Sequence, residues 1–350
     1  MNESIYLKAI HRRNSGRPPV WFMRQAGQHH SHYQMMRAKH SFLELCVNPQ
    51  LSAEIAEAPA QEFNFDAAIL FSGLLFPLDV LGMKLSYNPG PELEWKFQSN
   101  EDFKKFNIRK KPLSELVKGL DFQKEALSLL SARLPANKSL LGFVAGPATL
   151  FFYAVSGTDR GNVIDAKRGL SDGRYDKFFN SLYPLLLENM VLQAQGGAQS
   201  IIVMDSAAGE IELSVFKKII IPCLRELFFA FRRRCPGVPI TYYSKNTGPL
   251  YWEALHATPF DCLAVDEVHP IAETLKNFGS QWAIQGNFNP RLLLLREEEC
   301  GKEIEKYFKP VLQLPSSALS GWICGLGDGV LAETSEVNIR AFMNYQKSIF

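Results

Sequence analysis

Eight short apolar runs, interleaved with longer helical patterns, constrain this chain more than any other feature. They occupy 19–23, 66–71, 141–145, 200–204, 239–243, 262–265, 282–285 and 322–324. Most are four to six residues long and apolar on both faces rather than at alternate positions, the pattern of parallel strands covered by helices. Between the runs lie segments with helical ends. Asn48-Pro49 reads as an N-cap followed by proline in the first helical turn. Leu182, Leu186 and Met190 form an i, i+4 stripe that stops at Gly196-Gly197. Eight strands, each followed by a helix, predict an α/β fold of the (β/α)8 TIM-barrel type. A doubly wound open sheet is the main alternative, because a short apolar run also fits a buried helix. The polar, proline-containing stretch 86–119 reads as an insertion after strand 2, and 1–350 as one barrel domain.

Charge and cysteine usage narrow the function. Lys and Arg number 38 against 36 Asp and Glu, a net +2, which gives no reason to expect nucleic acid or an anionic membrane as partner. Cys46, Cys223, Cys235, Cys262, Cys300 and Cys324 are scattered without a C-x-x-C pair, as expected of reduced thiols. Residues 1–19 carry charges throughout and lack the apolar segment of a signal peptide. No stretch approaches the roughly 18 apolar residues of a membrane span. A cytoplasmic location is expected.

In such barrels the chemistry sits past the C-terminal ends of the strands. The polar residues there are Arg24, Ser72, Asp205 with Ser206, Ser244 with Lys245, Asp266 with Glu267, Asn287 and Asp328, with Tyr153 beyond the turn after strand 3. Arg24 ends an apolar strand and is followed by small residues. A guanidinium there can fork onto a carboxylate of a substrate or of the barrel rim. Gly325-Leu326-Gly327-Asp328-Gly329 can present backbone N–H groups to an anion, but the aspartate in its middle argues against one. It also falls short of a dinucleotide fingerprint. His29-His30-Ser31-His32 raises a metal site, yet no Cys or carboxylate adjoins them, so histidines at the rim or on substrate are the better reading. Asp205-Ser206 has no histidine nearby in sequence, which disfavours a nucleophilic serine.

The segment Pro19-Val20-Trp21-Phe22-Met23-Arg24-Gln25-Ala26-Gly27 resembles the N-terminal signature of the uroporphyrinogen decarboxylase family. So do Phe42-Leu43-Glu44-Leu45-Cys46, the run from Phe65 to Ser72, Leu81-Gly82-Met83, Asp205-Ser206-Ala207-Ala208-Gly209 and Gln285-Gly286-Asn287. The resemblance extends from about Tyr6 to the C-terminus. It implies a distorted (β/α)8 barrel, a homodimer, and decarboxylation of acetate side chains without any cofactor. In that chemistry a protonated pyrrole acts as an electron sink, arginines bind carboxylates, and a central aspartate faces the pyrrole N–H groups.

By position, Arg24, Arg37, Tyr153 and Ser206 match the family pattern, with Ser72 adjoining. Elsewhere this chain departs from it. Gln28 stands in place of a second arginine, Gly73 in place of the central aspartate, Asp328 in place of a histidine, and Gln34 in place of a further arginine. A lost charge-assisted hydrogen bond costs about 1.5–3 kcal/mol, and a lost general acid about 10²–10⁴-fold in rate. Asp328 is the candidate to restore a carboxylate opposite the empty place at Gly73. The resulting expectation is a divergent lyase with Arg24, Tyr153 and Asp328 as catalytic residues. Gln28, His29, Arg37, Ser72, Gly73 and Ser206 would contact a small-molecule carboxylate, a tetrapyrrole or something smaller. The alternatives are ordinary uroporphyrinogen decarboxylation by a rewired site, and a non-catalytic paralogue. A related methyl-transferring branch binds zinc through His-x-Cys. The corresponding Tyr242-Tyr243-Ser244-Lys245 has neither ligand.

Overall fold

The computed structural model describes residues 3–87, 90–158, 161 and 163–350. Nine strands are assigned among them. Seven form one parallel sheet: β1 (Ala67–Ile69), β4 (Ser139–Ala145), β5 (Ser200–Asp205), β6 (Ile240–Ser244), β7 (Cys262–Ala264), β8 (Ala283–Gln285) and β9 (Trp322–Ile323), paired in that order. β2 (Leu85–Tyr87) and β3 (Pro91–Leu93) make a separate antiparallel hairpin. β4 is buried at all seven positions, which explains why these runs carry no polar alternation. The strands alternate with helices, including Pro49–Glu62, Pro147–Ser156, Arg174–Gln195, Ile221–Arg234 and Glu336–Ile349. This is the (β/α) barrel architecture expected from the sequence. No helix among the described residues is long and apolar enough to cross a membrane.

One of the eight expected strands is not a regular strand. The run 19–23 contributes only a single parallel bridge, Val20 with Cys324. It nevertheless lies between the two edges of the sheet. On the β9 side, Cys324 N–H donates to Pro19 O at 2.8 Å and Trp21 N–H to Cys324 O at 3.3 Å. On the β1 side, Asp66 N–H donates to Val20 O at 2.8 Å. Proline at 19 has no N–H to offer a ladder, and side chains take over where backbone pairing stops. The Asp66 carboxylate accepts the Val20 N–H at 2.7 Å and a two-pronged Arg17 pair at 2.6 and 2.8 Å. The Gln25 amide bridges Phe22 N–H (3.3 Å) and Ala67 O (3.0 Å). The regular strands therefore number seven, and the eighth position is laced by Asp66 and Gln25.

Local signals behave as read. Asn48 Oδ1 accepts from the N–H groups of Gln50 and Leu51 at 3.0 and 3.2 Å, capping Pro49–Glu62. Arg174–Gln195 stops at Gly196, with Gly197 at φ +107°. The insertion 86–119 is more ordered than its composition suggests. It carries the end of the hairpin, two 3-10 turns and the helix Leu113–Lys118, anchored by Phe97 and Phe106, both fully buried.

Candidate active site

The C-terminal end of the sheet is not fully closed to solvent. Met204, one residue before the end of β5, is half-buried, whereas the four positions preceding it in the strand are buried. The side chains around this mouth fall into two groups.

The first group belongs to β5–β9, and its aspartates are hydrogen-bonded by the protein itself. Asp205 is fully buried. Its Oδ1 accepts from the Thr149 N–H (3.0 Å) and hydroxyl (2.7 Å), and its Oδ2 from the Tyr242 hydroxyl (3.0 Å). Burial pushes its carboxyl above the usual range, and these donors oppose that push. The carboxylate thus ties the first turn of Pro147–Ser156 to β5 and β6. Next to it, Ser206 is exposed. Asp266 accepts from Asn246 N–H at 2.7 Å, while the Asn287 amide bonds the carbonyls of Asp266 and His269 at 2.5 and 2.6 Å. Asp328 is ion-paired with Lys245 at 2.5 Å, and its other oxygen accepts the Gly329 N–H at 2.7 Å. The Tyr243 hydroxyl donates to Gly327 O at 3.0 Å. Burial, joined by Asp328, Asp266 and Glu267, pushes that phenol up, and the Arg24 guanidinium opposes them.

The glycine loop after β9 is explained by close approach rather than by an anion. A Cβ on Gly327 would lie 2.3 Å from the Glu267 nitrogen, and one on Gly329 would lie 2.5 Å from Arg24 Cδ. Glycine here lets the Arg24 stem lie flat against the loop.

The second group, on the rim before β1 and at its end, is left open. Arg24 is exposed and takes a left-handed backbone, φ +59°. Among the described residues no carboxylate lies within 4.0 Å of its guanidinium, so the rim-paired reading of this arginine is set aside. Gln28 is also exposed, its carbonyl bonded by the Gln34 amide at 2.7 Å. Ser72 accepts from the Gln123 amide at 3.2 Å. Arg37 stands on the exposed helix Ser31–Arg37, donating to the His40 carbonyl at 2.5 Å.

The place expected to be empty at Gly73 is occupied. A Cβ there would lie 2.4 Å from the Tyr87 hydroxyl oxygen and 3.3 Å from the Phe76 ring. Asp328 is not the group that fills it. Tyr87 comes from the hairpin of the insertion, and its phenol is sensitive to Tyr153. Tyr153 itself is half-buried on Pro147–Ser156. Sequence reasoning missed Tyr87 because it looked only at strand ends. The available signal was an aromatic residue opening the insertion.

The histidine cluster is not a rim feature: His29 and His30 are 6% and 0% exposed. The carboxylates absent from the local sequence arrive from two distant helices. His30 Nε2 lies 2.7 Å from Glu62, and ligating atoms of His30, Glu62 and Glu336 fall within 4.8 Å of one another. The second Glu62 oxygen, however, takes Arg340 at 2.6 Å, and Glu336 accepts the Ser31 N–H at 2.8 Å. A guanidinium within the cluster makes this an ion-pair network joining the segment before β1 to the last helix. His29 differs, because both its ring nitrogens are buried without a partner among the described residues. Burial, then His30, lowers its pKa to about 4, with Glu336 opposing.

An α/β barrel whose strand ends carry an unpaired arginine, tyrosines and a lysine–aspartate pair belongs to the class of TIM-type barrels with a polar site at the mouth. Comparison with known proteins makes the class specific. The chain matches the family described as uroporphyrinogen decarboxylase (URO-D) over residues 1–349 and belongs to it. It is 30% identical to the uroporphyrinogen decarboxylase of Rickettsia felis over 339 residues, covering 95% of this chain and 94% of that one. It is 28% identical to that of Koribacter versatilis over 341 residues, covering 96% and 93%. A methyltransferase from Methanosarcina mazei superposes with a TM-score of 0.74 at 14% identity, covering 99% of both chains. A putative vitamin-B12 independent methionine synthase from Listeria monocytogenes gives 0.53 at 14% identity, covering 100% of this chain and 99% of that one. At such identities the likeness to these two is one of fold.

Proposed function

We propose that this chain is a single-domain, cofactor-free lyase of the decarboxylating type, acting on a carboxylate substrate that Arg24 anchors. The observation that carries this reading is the Arg24 guanidinium at the strand ends, held against Gly329 with no carboxylate partner among the described residues. A guanidinium so placed is a ready fork for a substrate carboxylate. Loss of CO2 leaves an electron pair on the adjacent carbon. Tyr153 and Asp328 are the groups assigned to manage the charge and the proton there, Asp328 in concert with Lys245. Gln28, His29, Arg37, Ser72, Gly73 and Ser206 complete the proposed contact set. The homodimer and the cytoplasmic location implied by the family resemblance form part of this proposal.

Ordinary uroporphyrinogen is not the expected substrate, because the strand end at Gly73 presents a phenol instead of a carboxylate. The second reading, ordinary uroporphyrinogen decarboxylation, is favoured by the names of relatives that match almost the whole chain. Anaerobic incubation of the purified protein with uroporphyrinogen, with products resolved by carboxyl number, separates the two. Absence of carboxyl loss beside an active control enzyme is the expected outcome. Stepwise loss of four carboxyls would establish the second reading. On whichever carboxylate the protein turns over, Arg24→Ala should lower the rate by at least about 10²-fold, and unchanged turnover would remove Arg24 from the mechanism.

A further inference from the structure

The insertion after β1 brings the Tyr87 hydroxyl over Gly73, where it has no hydrogen-bond partner among the described residues. Tyr87 ends β2, where it is half-buried, and its ring packs on Phe42 with centroids 4.6 Å apart. The hydroxyl rests on the backbone of Gly73, close enough that any side chain there would displace it. Among the described residues it makes no hydrogen bond. Burial, with Cys46, Tyr153 and Asp79 adding to it, pushes this phenol up, so the proton stays on. A neutral O–H without a protein acceptor remains free to donate to a ligand. At the same mouth Arg24 is also a donor without a carboxylate. Two such donors, without a carboxylate among the described residues, call for acceptor oxygens.

We infer that Tyr87 is a specificity-determining residue of this site, its hydroxyl donating a hydrogen bond to a carboxylate or carbonyl oxygen of the substrate across Gly73. The inference rests on the proposed carboxylate reading and narrows it. The substrate presents an acceptor oxygen toward the end of β1, and glycine at 73 is what gives the phenol room to meet it. The hairpin thus acts as a side wall of the pocket, and its tip tyrosine tells an acid from the corresponding uncharged molecule.

The test uses the full chain and two probes, pyrrole-3-acetate and its uncharged counterpart 3-ethylpyrrole, titrated by isothermal calorimetry and ligand-observed NMR. The wild type should bind the acid and discriminate against 3-ethylpyrrole. Tyr87→Phe keeps the ring on Phe42 and should weaken the acid about tenfold while leaving 3-ethylpyrrole unchanged. Gly73→Ala should do the same by pushing the hydroxyl aside. In the double variant the losses should not add, because both act on one group. Tyr87→Phe binding the acid as tightly as wild type overturns the inference, as does additivity of the two losses. Arg24→Ala distinguishes the two levels. If it abolishes acid binding while Tyr87→Phe changes nothing, Tyr87 alone is wrong. If Arg24→Ala leaves acid binding intact, or the wild type binds no acid, the carboxylate reading falls and this inference with it.

Discussion

The two sides of the barrel mouth are built on opposite principles. Around β5–β9, Asp205, Asp266 and Asp328 all have their oxygens claimed by the protein itself, through Thr149, Tyr242, Asn246, Lys245 and Gly329. On the rim before β1 and at its end, no described residue hydrogen-bonds the Arg24 guanidinium or the Tyr87 hydroxyl, and behind that rim both ring nitrogens of His29 are buried without a partner among the described residues. Buried polar groups are costly when unpaired. Asp205 and Asp266, both buried, are therefore scaffold; Asp328 is half-exposed between the two sides, and the open side is where a ligand has something to contribute. A strand-end aspartate is not catalytic merely by position: Asp205 shows how completely such a residue can be absorbed into support.

The sharpest way to break this contrast is to attack the scaffold. Asp205→Ala strands the Thr149 N–H, the Thr149 hydroxyl and the Tyr242 hydroxyl inside the barrel. It should cost about 3–5 kcal/mol in urea unfolding. A loss below about 1 kcal/mol would mean that the network is not structural.

The next effect concerns the open side. His29 is held neutral, with its pKa lowered to about 4 from the ordinary 6.5. Between those values the unfolded chain takes up a proton that the folded chain refuses. His29 therefore removes stability as pH falls from about 6.5 to 4, by up to about 3 kcal/mol. His29→Phe deletes two unpaired nitrogens and should flatten that part of the stability profile. An unaltered acid limb in the variant would assign the loss to other groups.

The smallest effect lies where the two sides meet. Lys245 and Asp328 have side chains 36% and 33% exposed, and a pair so accessible contributes little. Lys245→Gln should change stability by less than about 1 kcal/mol. If Asp328 takes part in turnover, however, the rate should fall while the melting curve does not move. A large fall in stability would place the pair with Asp205 as scaffold.

Much of the fold was legible because it depends on local composition. Uninterrupted apolar runs mark parallel strands buried on both faces, and Asn48-Pro49 and Gly196-Gly197 mark helix ends through backbone chemistry alone. The first run misled for an equally physical reason. It is as apolar as the others, but its pairing toward β1 is one backbone hydrogen bond completed by the side chains of Asp66 and Gln25, which no periodicity reports. In the site, sequence position was enough to bring Arg24, Tyr153, Ser206 and Asp328 into view. It did not show that Asp328 is neutralised by Lys245, 83 residues away, or that His30 meets Glu62 on another helix, itself held by Arg340 on a third.

What the sequence determined by itself, then, is the alternation that makes a barrel and the family it belongs to. These are properties of residues taken one at a time or in short runs. What only the tertiary structure decided is which polar groups are already satisfied. A hydrogen bond depends on two atoms meeting within about 3 Å, and the chain brings Tyr87 over Gly73 only after an insertion has folded back across the mouth. A glycine that looked like a vacancy in the sequence is, in three dimensions, the space that a phenol occupies.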